Sequence, residues 1–350
     1  MRFFRPDPSK VPTLSLLLPS DYPETPLVTV IVPIYNEQHY ITRCLNAIQQ
    51  QDYPADQIEI LVSDGQSSDN SRALVLALAT ADPRIRLIDN PQRLQTFGLN
   101  TGIEAAHGQI VVRVDGHVFI APDYVRNCVS LLRGKNDEQV ANVGGLMTPQ
   151  GETPFGRAIA AATQSPFGIP TTFHHSHRPQ FVDTVYLGAW PRVLFDQIGY
   201  FNPALAANED YEFNYRIRLA GGRIYLSPTI RSVYFCRSSM GGLWRQYQRY
   251  GRQKIQMLRR YPQSLKVRQL IAPLFSAALF GLPLLTLFNR WFGVLWLLML
   301  IAYGLVGSAA AAKAPRERID SGRVLLAFAL MHVAWGIGFW RGVIDVVFGH

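Results

Sequence analysis

Two stretches without a single charged residue, Leu270 to Phe288 and Trp291 to Ala312, constrain this 350-residue chain more than any other feature. A bilayer core about 30 Å thick takes roughly 20 helical residues to cross, and each stretch is long enough. A third apolar run, Val324 to Trp340, is shorter and carries His332; it is read as a third span. Two uncharged runs side by side favour membrane spans over the buried helices of a large soluble core. The chain is therefore expected to end in a membrane domain over residues 269–350, with spans at about 270–288, 291–312 and 324–340.

The apolar fraction of 48% comes partly from that end of the chain, because up to about Arg268 charges are spread as in a soluble α/β protein. The net charge of +9 invites a nucleic-acid reading, which the position of the excess argues against. Between Arg245 and Arg268 there are eight Lys or Arg residues and no acidic one, directly before the first span. Basic residues beside a span are held on the cytoplasmic side and attracted to anionic lipid. The loop Lys313 to Arg323 is also basic on balance. Both loops are expected inside, in the inner (cytoplasmic) membrane, with membrane lipid and not nucleic acid as the partner of the basic block. Residues 241–268 then read as a basic amphipathic interfacial segment.

Residues 1–26 read as an amino-terminal extension. Met1 to Lys10 is basic but lacks an apolar h-region, so no secretory signal is expected. Cys44, Cys128 and Cys236 are odd in number, scattered and without metal or redox spacing, as in a reduced compartment.

Apolar, β-branched runs recur at Val28 to Val32, Ile58 to Val62, Ile85 to Ile88 and Ile110 to Val114, separated by helix-like segments. This βαβα alternation predicts an α/β domain over residues 27–240 with a mostly parallel sheet covered on both faces. Further strands are expected around Val140 to Met147, Phe181 to Leu187 and Arg223 to Leu226.

Ligands of open α/β sheets sit beyond the carboxyl ends of the strands, and here those positions are polar. Strand one runs into Pro33-Ile34-Tyr35-Asn36-Glu37, strand two into Ser63-Asp64-Gly65 and strand four into Asp115-Gly116-His117. Acidic groups converging on one sheet edge repel unless a cation or a donor-rich ligand joins them.

Taken in order, Val30 to Glu37 and Val62 to Asp69 resemble the opening motifs of the family 2 glycosyltransferases, and the resemblance extends over roughly Val28 to Tyr261. Among them the chain is most similar to the glucosyltransferases that build succinoglycan-type exopolysaccharides. The resemblance implies a GT-A fold, Rossmann-like, followed by carboxy-terminal transmembrane helices. It implies an inverting transfer of a sugar, glucose from UDP-glucose, to a saccharide acceptor that is lipid-linked. Pro33, Tyr35 and Glu37 would line the nucleoside pocket and Asp64 would meet the base, whose imide N–H a carboxylate can accept. Arg93 would reach the diphosphate, or else be a solvated loop charge; Asp69 would be a ligand or a helix cap.

Asp115-Gly116-His117 stands where the family has its Asp-x-Asp motif, with histidine in the second acidic place. Asp115 would bind the donor and, with His117, a divalent metal. An imidazole ligand shifts the preference toward Mn²⁺ over Mg²⁺. Asn208-Glu209-Asp210 follows the family's lead-in Ile198 to Asn202, and the resemblance makes Asp210 the general base with Glu209 as its acidic neighbour. An unperturbed aspartate is a weak base at neutral pH, so burial or Glu209 would have to raise it.

Gln246-Tyr247-Gln248-Arg249-Tyr250 resembles the family's Gln-x-x-Arg-Trp element, which would put Gln246, Arg249 and Tyr250 on the acceptor or diphosphate side. Trp190, in Gly188-Ala189-Trp190, is either a sugar platform there or a core residue. His174, His175 and His177 invite a zinc reading, but no Cys or carboxylate at ligand spacing accompanies them, so an acceptor-side loop is favoured. Two other readings are weighed: a transferase loading one sugar onto a polyprenyl phosphate, and a non-catalytic membrane scaffold, which gives Asp64, Asp115 and Asp210 no reason to converge.

Overall fold

The computed structural model describes residues 11–15, 17–19, 22–168, 172–314 and 320–349. Met1 to Lys10 of the extension and residues 315–319 of the basic loop lie outside the described residues. The chain divides into two compact units, Met1–Thr148 with His175–Tyr234, and Pro149–His174 with Phe235–His350.

In chain order the elements are β1 (Val28–Ile34), α1 (Ile41–Gln49), β2 (Ile58–Asp64), α2 (Ser71–Ala81), β3 (Ile85–Asp89), α3 (Gln95–Ala105) and β4 (Ile110–Arg113). They continue with β5 (Val118–Ile120), α4 (Tyr124–Gly134), β6 (Val140–Gln150), α5 (Pro154–Gln164), α6 (Thr172–His175), β7 (Gln180–Val182) and β8 (Tyr186–Pro191). The last are α7 (Val193–Ile198), α8 (Glu209–Leu219), β9 (Arg223–Phe235), α9 (Met240–Arg260), α10 (Ile271–Leu285), α11 (Trp291–Ala312) and α12 (Ser321–Phe348).

The first unit is built on a sheet ordered β3-β2-β1-β4-β8-β6-β9-β5, with β7 beside β9. The strands β3, β2, β1 and β4 are parallel, as the alternation predicts. Beyond β4 the pairing reverses: β8 runs antiparallel to β4 and β6 antiparallel to β8, while β5 and β7 run antiparallel to β9. The sheet is thus mixed, parallel in the half expected from sequence and antiparallel beyond it. β5, three residues long, follows the Asp115-Gly116-His117 turn and is a strand the sequence reading did not anticipate.

Every residue of β1 is buried, because both faces of the sheet are covered. On one face Val30, Val32, Ile60 and Val112 pack in a cluster with Ile41, Leu45 and Ile48 of α1 and Val125 and Val129 of α4. Each such side chain withdrawn from water contributes about 1.5–3 kcal/mol. On the other face α3 lies so close to β1 that a Cβ on Gly102 would sit 2.5 Å from Ile31 Cγ2, a position that only glycine fills without displacement. The register aligns Ile34 with Asp64 and Asp64 with Asp89, so three strands end level at one edge.

In the second unit α5 is capped by Thr153, whose hydroxyl accepts from Gly156 N at 2.9 Å, and α12 by Asp320, which accepts from Gly322 N at 2.8 Å. The segments Val267–Leu285, Trp291–Ala311 and Ser321–Phe348 are long and apolar enough to cross a membrane. The first helix ends at Leu285, just past Pro283, short of the expected Phe288, whereas the third continues eight residues beyond the expected Trp340. α9 is amphipathic, but its apolar face is not free for lipid: Leu243, Tyr247, Ile255 and Met257 are buried inside this unit. The glycines of α12 explain why, since a Cβ on Gly338 would lie 2.1 Å from Gln248 O, so the two helices touch backbone to backbone.

Candidate active site

The polar residues predicted at the strand ends separate into two groups. The first surrounds Asp64 at the end of β2. Its Oδ1 accepts from Ser67 N at 3.0 Å and its Oδ2 from Arg72 Nη1 at 3.3 Å, and Arg72 also donates to Asp89 at 2.6 Å. Asp64 is 1% exposed and its hydrogen bonds shape the loop behind it, with Arg72 bridging two carboxylates that the register places side by side.

The loops after β1 and β2 are stitched together. Asn36 N donates to Ser67 Oγ at 2.9 Å, Asn36 Oδ1 accepts from Ser68 N at 2.8 Å, and Glu37 N donates to Ser71 Oγ at 2.7 Å. Asp69 accepts from Ser71 N and Gln38 N, which is a loop and helix-start role. Asn36, Gln66 and Arg93 all adopt left-handed backbone, at φ 57°, 59° and 59°. Non-glycine residues in that region carry strain that surrounding structure must hold, and such positions cluster at ligand sites. Tyr35 projects from this rim, 49% exposed, while Pro33 is buried in β1. Arg93 is exposed and donates through Nε to Gln66 Oε1 at 2.9 Å.

The second group forms around a residue that the sequence reading passed over. Arg113, the last residue of β4, is buried, and its guanidinium forks between two carboxylates: Nε to Asp115 Oδ1 at 2.7 Å, Nη2 to Asp115 Oδ2 at 3.2 Å and Nη1 to Glu209 Oε1 at 3.0 Å. Burial works against its charge, but Asp115 and Glu209 outweigh burial and hold the guanidinium firmly protonated. Gln95, also unanticipated, donates to Asp115 Oδ1 at 3.1 Å from the start of α3. A lone arginine in a β-branched strand, two residues before an aspartate and so on the same strand face, is the signal that could have found it.

His117 Nδ1 lies 2.8 Å from Glu37 Oε1, joining the loop after β4 to the loop after β1. Gly116 makes that approach possible, for a Cβ there would stand 2.8 Å from Ile34 Cγ2 and 3.1 Å from Glu37 Cγ. Among the described residues no three His, Cys, Asp or Glu side chains gather as a ready metal cluster.

Glu209 and Asp210 open α8 behind Asn208, whose φ of 62° turns the chain into the helix. The carboxyl of Asp210 is pushed up to about 6, chiefly by burial and then by the neighbouring Glu209 charge, while Arg113 and the Tyr211 N–H hold it back. The approach to α8 is fixed from behind. Arg216 pairs with Glu212 at 2.9 Å and donates to the carbonyls of Ile198 and Tyr200 at 2.6 Å each, and Asn100 exchanges two hydrogen bonds with the Phe201 backbone, at 2.8 and 3.0 Å.

Trp190 is a core residue. It is 1% exposed, with the rings of Phe195, Phe201 and Phe213 edge-on at 5.8–6.0 Å, so a sugar has no access to it. The pattern Gly188-Ala189-Trp190 placed it correctly on a strand, but pairing with Val111 turns it toward α7 and α8.

Gln246, Arg249 and Tyr250 lie on α9 in the second unit. Gln246 Nε2 donates to Tyr250 Oη at 2.8 Å, Tyr250 meets Tyr247 edge-on at 5.6 Å, and Arg249 is exposed. In the histidine loop His174 packs on Phe173 at 4.7 Å and His177 is exposed; the side chain of His175 lies outside the described residues.

Residues 29–184 match the family model described as Glycosyl transferase family 2. Over those residues the chain is similar to the family 2 glycosyltransferases. The chain is 27% identical over 333 residues to the succinoglycan biosynthesis protein ExoA of Rhizobium meliloti (strain 1021), an alignment covering 90% of this chain and 94% of that protein. It is also 27% identical over 238 residues to the dolichyl N-acetyl-alpha-D-glucosaminyl phosphate 3-beta-D-2,3-diacetamido-2,3-dideoxy-beta-D-glucuronosyltransferase of Methanococcus voltae, across 67% of this chain and 74% of that one. Among solved structures, the mannosyltransferase PcManGT from Pyrobaculum calidifontis, in complex with GDP-Man and Mn²⁺, aligns with a TM-score of 0.58 at 22% identity, covering 97% of this chain and 90% of that chain. The likeness shows that the chain has the GT-A fold.

Proposed function

We propose that this enzyme is a membrane-anchored inverting hexosyltransferase that moves glucose from UDP-glucose to a lipid-linked saccharide during synthesis of an exopolysaccharide or another cell-surface glycan, with its catalytic unit on the cytoplasmic face of the inner membrane. The observation that carries the reading is the Asp210 carboxyl, pushed up to about 6 at the start of α8 and set in one charge cluster with Arg113, Asp115 and Glu209. A base poised just below neutral pH is ionised in the cell yet retains enough proton affinity to take a hydroxyl proton in the transition state.

In this reading Asp210 accepts the proton of the acceptor hydroxyl as that oxygen attacks the anomeric carbon from the side opposite the diphosphate. Arg113 bridges Asp115 and Glu209, offsets part of their repulsion and lowers the cost of ionising Asp210. Tyr35, exposed on the rim, covers the nucleoside in this reading. Arg93 is free to swing from Gln66 to a phosphate. Asp115 and His117, one oxygen donor and one nitrogen donor two residues apart with Glu37 hydrogen-bonded to the imidazole, suit a divalent ion of the Mn²⁺ or Mg²⁺ kind completed by phosphate oxygens. When bound, such an ion supplies positive charge to the departing diphosphate.

Similarity to a succinoglycan biosynthesis protein supports the glycan assignment, and the lipid-linked acceptor is supported by the candidate spans and by the dolichyl-linked substrate in the name of the archaeal relative. The basic block before the first span supports cytoplasmic placement. The test is nucleotide release by the full-length protein in detergent from a panel of UDP- and GDP-sugars, with membrane lipid extract as acceptor and with or without Mn²⁺ or Mg²⁺. UDP-glucose turnover that needs metal and vanishes in Asp210→Asn and Asp115→Ala is expected. Failure of every nucleotide sugar to turn over would refute the reading.

A further inference from the structure

The second unit contains a cavity of about 700 Å³ that no residue assigned above explains. It lies among the end of β6, helix α5, the turn after it and the last turns of α11, the second candidate span. Alanines line much of it, Ala160 and Ala161 on α5 and Ala309 and Ala310 on α11, alongside the polar Gln150, Gln164 and Ser165. Two cations border it, Arg157 and Lys313, and among the described lining residues there is no carboxylate.

Arg157 has donor capacity left over. Its Nη1 donates to the Glu152 carbonyl at 3.0 Å, but its Nε is buried without a hydrogen-bond partner among the described residues. A buried guanidinium N–H without an acceptor is costly, and the planar fork is shaped for an oxyanion with two accepting oxygens. Lys313 immediately follows the last turn of α11, and a lysine at the end of a membrane span extends its charge to the lipid head groups.

The floor of the cavity is held rigid. His332 on α12 contacts the Phe167 carbonyl through Nε2 at 2.9 Å and the Tyr303 hydroxyl of α11 through Nδ1 at 2.9 Å, which accounts for an imidazole inside an apolar helix. Gly307 lets α11 close on the same turn, since a Cβ there would lie 2.6 Å from Leu325 Cδ1 and 3.4 Å from the Phe167 ring.

Two cations beside alanines of a candidate membrane span match a ligand that is anionic at one end and hydrocarbon at the other. We propose that this cavity binds the phosphate head of a membrane lipid between Arg157 and Lys313, with the lipid chain lying along the alanine face of α11. The site goes beyond the transfer reaction and is detectable without it. Two sources share this chemistry, a phosphate-linked polyprenol and a two-chain anionic glycerophospholipid.

Native mass spectrometry of the full-length protein, without any nucleotide sugar, tests the assignment. Retention is measured for polyprenyl phosphate, phosphatidylglycerol, polyprenol without phosphate and inorganic diphosphate, in the wild type, Arg157→Gln, Arg157→Lys, Lys313→Gln and Ala310→Trp. The site predicts that at least one phosphate-headed lipid is retained tenfold better than polyprenol. Arg157→Gln and the cavity-filling Ala310→Trp each lose that preference, Lys313→Gln weakens it, and Arg157→Lys keeps most of it. Whichever phosphate-headed lipid is retained more strongly names the source. Wild-type retention in both Arg157→Gln and Ala310→Trp, equal retention of polyprenol, or equal competition by inorganic diphosphate overturns the proposal. Melting temperatures of the variants identify any that fail to fold, and the remaining ones then decide.

Discussion

Arg113 Nη1 lies 3.0 Å from Glu209 Oε1, tying the end of the last parallel strand to the start of α8 across 96 positions of sequence. The same guanidinium chelates Asp115, so one cation fixes the spacing of the acidic groups that the proposed chemistry uses. Removing it leaves two buried carboxylates facing each other, a loss that typically costs about 3–5 kcal/mol when a buried pair is broken. Arg113→Met is expected to lower kcat/KM by at least about a hundredfold through misplacement of those groups. Because the Arg113 charge holds the Asp210 carboxyl down, the acid limb of the pH profile should also move to higher pH in the residual activity of the variant. Arg113→Lys should recover part of the rate and of the limb, and an unmoved limb in Arg113→Met would separate Arg113 from Asp210.

The raised Asp210 carboxyl makes a prediction about rate. If Asp210 takes the proton, kcat/KM should fall through an apparent value near 6, dropping about tenfold per pH unit below it. Asp210→Asn should lose about 10²–10⁴ in rate with the limb abolished. A profile flat from pH 5 to 8 in the wild type would argue against this base.

The same group makes an independent prediction about stability. A carboxyl whose folded value lies above its unfolded 3.8 holds its proton more tightly when folded, so stability declines as pH rises from 3.8 through about 6. Asp210→Asn removes that penalty. It should therefore melt a few degrees above the wild type at pH 7.5, with the gap closing by pH 4, measured by thermal unfolding at both values.

The sequence carried the first half of the fold openly. Val28 to Val32, Ile58 to Val62 and Ile110 to Val114 are nearly continuous apolar runs, broken only by Thr29, Glu59 and Arg113, and such runs are parallel strands buried on both faces. The acids after them were visible for the same reason, because a carboxylate next to a buried strand demands an explanation. Their partners were not visible. Arg72 reaches Asp64 and Asp89 through a register that no single strand encodes, and Arg113 finds Glu209 only after the sheet and α8 have assembled. The antiparallel half was legible as strands but not as pairings, since β8 inserts between β4 and β6 out of chain order. Trp190 shows the limit most clearly: its strand was readable, while the face it presents depends on three phenylalanines from α7, α8 and the segment between them.

The contact between His117 and Glu37 predicts how metal preference will respond to substitution. With an imidazole as one donor, Mn²⁺ should restore the activity of chelator-treated enzyme better than Mg²⁺. His117→Asp replaces nitrogen with oxygen and should bring Mg²⁺ level with or ahead of Mn²⁺, whereas Glu37→Gln should keep the order and weaken the affinity for both. Metal titrations of UDP release measure each case, and an unchanged order in His117→Asp would take His117 out of the metal shell.

Trp190 supplies the contrast to these site residues. Its indole fills the space among Phe195, Phe201 and Phe213, so Trp190→Ala opens a cavity in the core behind α8 and should destabilise the catalytic unit by about 3–5 kcal/mol. Trp190→Phe, which refills most of that volume, should cost far less. Since no sugar reaches the ring, the KM for acceptor should stay within about twofold of wild type in Trp190→Phe, while a residue that stacks on a sugar through its indole would show a larger loss, of about 1–3 kcal/mol for each bulky apolar contact removed. Thermal unfolding and acceptor titration on the same preparation separate the two roles: a lower melting temperature with an unchanged KM marks a packing residue, and the reverse would return Trp190 to the acceptor site.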